Sequence, residues 1–77
     1  MSQSYFADVM NLIYEFNEKY GHPPVTITLA SQGVWDSCQP DLNDSSLIEI
    51  YPLTFKMFEA LQVDINPKSK PDRIQLS

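Results

Sequence analysis

The chain has 77 residues, 43% of them hydrophobic, with one tryptophan, four tyrosines, four phenylalanines and a net charge of −5. That length makes one domain with a modest stability margin, and that apolar content fills a compact core, which excludes a disordered tail. Residues 1–55 carry seven acids against Lys19 alone, while 56–77 hold the other four bases, so the first two-thirds cannot build a surface for a phosphate backbone and no direct nucleic-acid binding is expected.

A single cysteine closes no intramolecular disulfide, which points to a reducing compartment, the cytoplasm. The opening residues lack a positive n-region and an apolar h-region. No apolar run approaches the roughly 20 residues that span a bilayer, so neither export nor membrane contact is expected.

In chain order, residues 4–20 predict an amphipathic helix. Phe6, Val9, Met10, Ile13, Phe16 and Tyr20 recur at spacings of three and four, Ser2 or Ser4 serves as cap, and Gly21 with Pro23-Pro24 ends it. Its apolar arc runs from Leu12 and Tyr5 to Tyr14, about 200°, wider than the roughly 100° one core needs. Either a loop or the tail of the same chain covers one flank, or a partner does.

Residues 25–30 alternate as a strand with one buried face. Ser31-Gln32-Gly33 is expected to form a hairpin with Gly33 left-handed, returning 34–38 as a second strand that ends by Pro40. Residues 46–51 pose a conflict. The Ser46 to Glu49 spacing fits a capping box, yet Ile48, Ile50, Tyr51 and the following Pro52 favour a strand, because a helix begun at Ser46 meets proline in its second turn. A second helix is then expected from Thr54 as N-cap to about Gln62, with Leu53 stapled on Phe58.

Residues 66–71 read as a turn or linker, and 73–76 as a short edge strand or frayed tail. The expected order is α-β-(β)-β-α-(β). This is a small α+β domain whose antiparallel sheet of three to four strands is covered on one face by two helices, with 1–65 as the compact domain and 66–77 as a basic linker and tail. The order, with Lys19-Tyr20-Gly21-His22-Pro23-Pro24 leading into the first strand, resembles the first part of a double-stranded-RNA-binding domain. The basic cluster such domains carry at the second helix is missing, since Thr54-Phe55-Lys56-Met57 offers one lysine, so the resemblance implies architecture and no RNA binding.

No catalytic set emerges. Cys38 as nucleophile needs a base, and the one histidine, His22, lies among a glycine and two prolines with no signature linking the two. One Cys and one His cannot complete a zinc shell. Asp41-Leu42-Asn43-Asp44-Ser45-Ser46 starts like a calcium loop, but Ser46 stands where glycine is required and Pro52 where the bidentate glutamate belongs. Glu49 is flanked by Ile48 and Ile50, and strand alternation turns it to solvent. Neither glycine lies in a phosphate-binding pattern, so no cofactor is expected.

From Tyr20 to Phe55 the chain holds Asp36, Asp41, Asp44 and Glu49 and no Lys or Arg. With Trp35 as a large anchor and Tyr14 on the helix flank, the 34–49 region is the expected contact for a partner protein with a basic surface. The leading expectation is a non-enzymatic inhibitor, adaptor or small subunit. Small size and negative charge also suit a phage or mobile-element inhibitor of a host nucleic-acid-binding protein. The alternative is a homo-oligomer, such as a dimer, associating through the wide apolar face of the first helix, and the remote one is a Cys38-dependent enzyme.

Overall fold

A computed structural model describes residues 5–70 and 73–77. Helix α1 spans Phe6–Tyr20 and ends where the sequence stops it. Gly21 takes φ 72°, a left-handed conformation that costs other residues, and donates its N–H to the Asn17 carbonyl at 2.9 Å. Tyr5 holds the N-cap position, while the expected caps Ser2 and Ser4 lie outside the described residues.

Phe6, Val9, Met10 and Ile13 are buried at the expected spacing. They form the core with Ile27, Leu29, Cys38, Phe58 and Leu61. Phe6 meets Phe55 and Phe58 edge to face at ring-centroid distances of 6.0 and 5.2 Å, so the N-terminus of α1 is fixed by aromatic packing.

Strand β1 (Thr26–Leu29) buries Ile27 and Leu29 and turns Thr26 and Thr28 to the other face, as its alternation predicts. It is the middle of a three-stranded sheet of order β2-β1-β3, where β2 is Gln62–Ile65 and β3 is Gln75–Leu76. The α+β class holds. The expected antiparallel sheet does not: β1 pairs parallel with β2, matching Ile27 with Val63 and Leu29 with Ile65, and antiparallel with β3. The physical reason is the connection. Residues 30–61, which carry three helices and a 3-10 turn, separate β1 from β2, which is the kind of crossover a parallel pair requires and a hairpin lacks.

Three other expectations are corrected. Residues 34–38 are not a strand: α2 spans Gln32–Ser37, with Ser31 as N-cap accepting from the Val34 N–H. Gly33 is not left-handed, so no hairpin forms. As a helix the segment sends Val34, Trp35 and Cys38 inward together, which a strand cannot do.

Residues 46–51 are also helical. A 3-10 turn at Leu42–Asp44 leads into α3 (Ser45–Ile50), and the capping box belongs to Asp41 and Asp44, not to Ser46 and Glu49. Pro52 then causes no clash. The chain leaves helical geometry at Tyr51 (φ −123°, ψ 60°), as a residue before proline prefers, and Pro52 opens α4 (Pro52–Glu59) at a position where its missing N–H is no loss.

Helix α4 therefore starts before Thr54 and stops before Gln62, freeing β2. Thr54 is buried inside it, and Leu53, 70% exposed, staples nothing. The order α-β-α-α-α-β-β also parts from the double-stranded-RNA-binding analogy, whose first strand leads into further strands. Helices α1 and α2 pack against the sheet, α4 packs on α1, and α3 on α4. No helix among the described residues is long and apolar enough to cross a membrane.

Candidate functional site

The wide apolar arc of α1 has two flanks, and each borders a concavity. On one, Met10, Asn11 and Tyr14 of α1 face Leu47 and Tyr51 from α3 and its end, with Thr54 of α4 between them, around a hollow of about 350 Å³. Spacing builds both walls, since Met10 and Tyr14 lie four residues apart on one helix and Leu47 and Tyr51 four apart on the other. Tyr51 is held at the junction: its N–H donates to the Leu47 carbonyl at 2.9 Å, and its own carbonyl accepts from the Phe55 N–H at 3.0 Å.

Tyr14 and Tyr51 remain 48% and 46% exposed at the rim. Leu42, Ile50 and Leu53, all largely exposed, lie on the chain that carries Leu47 and Tyr51. Apolar walls with two hydroxyl-bearing aromatics, Asn11 and Thr54 suit a partner's side chain that is apolar with a polar end.

Of the expected contact residues, only Tyr14 lines this hollow. Glu49 is exposed on α3, between Leu47 and Tyr51 in sequence. Asp36 is exposed on α2 and accepts from the Gln32 amide at 3.3 Å. Asp41 and Asp44 are occupied by structure, because the Asp41 carboxylate accepts from the Asn43 N–H at 2.8 Å and the Asp44 carboxylate accepts from the Asp41 N–H at 3.0 Å. Trp35 is half-buried and stacks on Phe58 at 5.3 Å, tying α2 to α4. Leu47, Tyr51 and Thr54 were not anticipated as site residues. The Leu47 to Tyr51 spacing was the available signal, and the strand assignment for 46–51 concealed it.

On the other flank, Tyr5, Asp8 and Leu12 face Ile74 and Gln75 across a groove of about 680 Å³ that also carries Lys68, Lys70 and Arg73. Three of the chain's five bases thus gather over one side of α1. Lys19 lines the neighbouring hollow with Leu12, Phe16, Ile74 and Leu76.

Cys38 is fully buried. Burial, and secondarily the charge of Asp8, pushes its thiol up to about 11, so at neutral pH it is a protonated, space-filling group. His22 sits at the exposed C-terminal end of α1, its ring 5.6 Å from Phe16, with Nδ1 3.1 Å from the Pro23 carbonyl. No hydrogen bond links it to Cys38 among the described residues. Nor do three or more His, Cys, Asp or Glu side chains gather there in a group able to hold a metal ion.

No family model, curated protein or solved structure matches the chain, so function has to be argued from this geometry.

Proposed function

We propose that the chain is a non-enzymatic protein-interaction module that takes an apolar side chain of a partner into the hollow between α1, α3 and α4. One observation carries this: Tyr14 and Tyr51, two aromatics of the type that dominates binding energy at interfaces, stand half-exposed over a preformed apolar hollow. Glu49 on α3, and the absence of any Lys or Arg between Tyr20 and Phe55, favour a partner whose contact surface is basic around that side chain. Trp35 serves by bracing α2 against Phe58, so the acidic 34–49 segment contributes charge while the hollow contributes grip.

The test is affinity capture from the native host with three chains: wild type, Tyr14→Ala/Tyr51→Ala and Glu49→Lys. Asp41 and Asp44 are left intact because they cap the 3-10 turn that leads into α3. A specific partner held by wild type is expected to bind the double-tyrosine variant at least about 30-fold more weakly, corresponding to about 2 kcal/mol. Glu49→Lys is expected to weaken it less and in a salt-dependent way. Equal retention by the double variant, or concentration-dependent self-association of wild type that the double variant abolishes, overturns the proposal, the second in favour of a homo-oligomer.

A further inference from the structure

Strand β2 is an outer strand of the sheet, and its ladder to β1 fixes which of its backbone groups are used. The Gln62 N–H donates to the Val25 carbonyl at 2.8 Å and the Asn66 N–H to the Leu29 carbonyl at 2.7 Å. In a parallel pair this directs the backbone groups of 62, 64 and 66 toward β1 and those of Val63 and Ile65 outward. Among the described residues nothing pairs with that outer edge, and every residue of β2 is exposed.

The side chains repeat the pattern. Val63 and Ile65 share the sheet face of their register partners Ile27 and Leu29. The β1 pair is fully buried, yet Val63 and Ile65 remain 38% and 37% exposed, so the helical layer stops short of β2. Asp64 lies on the opposite, open face.

We propose that β2 is a strand-addition site for an extended segment of a basic protein, one in which apolar residues alternate with lysine or arginine. Such a segment bonds the outward N–H and C=O groups of Val63 and Ile65, lays its apolar residues beside those two side chains and sets a cation next to Asp64. Charge decides the occupant. Antiparallel pairing of β2 with β2 of a second copy, centred on the strand, puts Asp64 opposite Asp64, whereas a basic segment sets a cation against that carboxylate. The site is separate from the hollow and does not depend on it.

The test uses the whole chain, ¹⁵N-labelled, titrated with a short synthetic peptide alternating valine and lysine. Expected are shifts confined to β2 and its neighbours and slowed exchange of the Val63 and Ile65 amides. Replacing the peptide's lysines by glutamate should abolish them. Val63→Pro removes an amide that β1 does not use, so the fold should persist while affinity falls at least about tenfold. A peptide N-methylated on the edge that faces β2 tests the same bonds without altering the protein, should Val63→Pro fail to fold. Tyr14→Ala/Tyr51→Ala should bind this peptide as wild type does, which separates failure here from failure of the hollow. Absence of shifts at millimolar peptide, equal binding of the N-methylated peptide, or self-association through β2 each overturns the proposal.

Discussion

Helix α1 carries more apolar surface than one core covers, and its two flanks dispose of the excess differently. On the Leu12 flank the chain covers itself: Ile74 and Leu76 from the β3 segment pack down, Leu12 becomes half-buried, and the groove that remains is lined with cations. On the Tyr14 flank α3 comes alongside without closing, and Tyr14 and Tyr51 stay half-exposed over a base-free hollow. Cover by the same chain, the first outcome envisaged for a wide arc, therefore occurs on one side of the helix, while the other side stays open.

The comparison breaks first at its shared base. Phe6, fully buried against Phe55 and Phe58, underlies both flanks, and Phe6→Ala is expected to cost about 3–5 kcal/mol, a large part of the stability of a domain this small. Urea denaturation measures it, and a loss under about 1 kcal/mol would mean that the flanks do not hang on a common core.

The flanks themselves separate next. Leu12→Ala is expected to cost about 1–2 kcal/mol, since its side chain is partly covered, and Tyr14→Ala less than about 1 kcal/mol. Equal costs would erase the distinction.

Alkaline titration sharpens the Leu12 side, where Asp8 reaches the buried thiol. Because burial raises the Cys38 pKa from 9.0 in the unfolded chain to about 11, its contribution is fully present below pH 9 and is lost as pH rises toward 11. The stability of Cys38→Ala should therefore fall less steeply over that interval than that of wild type, measured by denaturation at each pH. Parallel curves would contradict a raised thiol. The smallest effect belongs to Glu49→Lys, expected to change stability by no more than about 0.5 kcal/mol while reducing capture of a basic partner. A larger stability loss would make Glu49 structural.

How much of this was legible follows from where each signal is encoded. Helix α1 and strand β1 could be read because periodicity, a glycine stop and strict alternation all agreed. The strand at 75–76 was also visible as alternation. Residues 34–38 and 46–51 were misassigned because β-branched and aromatic side chains also serve in short helices packed on a core, where tertiary contact outweighs propensity. Ser31 and the Asp41–Asp44 pair carry the local information, as caps, in competition with the turn signal of Gly33 and the box spacing from Ser46.

Gln62-Val63-Asp64-Ile65 alternates plainly, but a helix expected to run to about Gln62 leaves residues 63–65 without an element. Parallel pairing could not be read from any one segment, because it depends on what lies between the strands. The site followed the same pattern. Tyr14 was found as surplus on a measurable arc, whereas Leu47 and Tyr51 became its neighbours only once 45–50 coiled.

The strand order also sets a timetable for folding. β1 is central, yet both of its partners come from the far side of three helices, and β2 and β3, which are neighbours in sequence, do not pair with each other. No hairpin can seed the sheet. Helices α1 and α4, which pack together without needing strand order, can associate first, and the sheet then waits on long loop closures. Until it closes, the β-branched side chains of β1 and β2 stand open to other copies of the chain, so chain concentration during refolding decides how much reaches the native state.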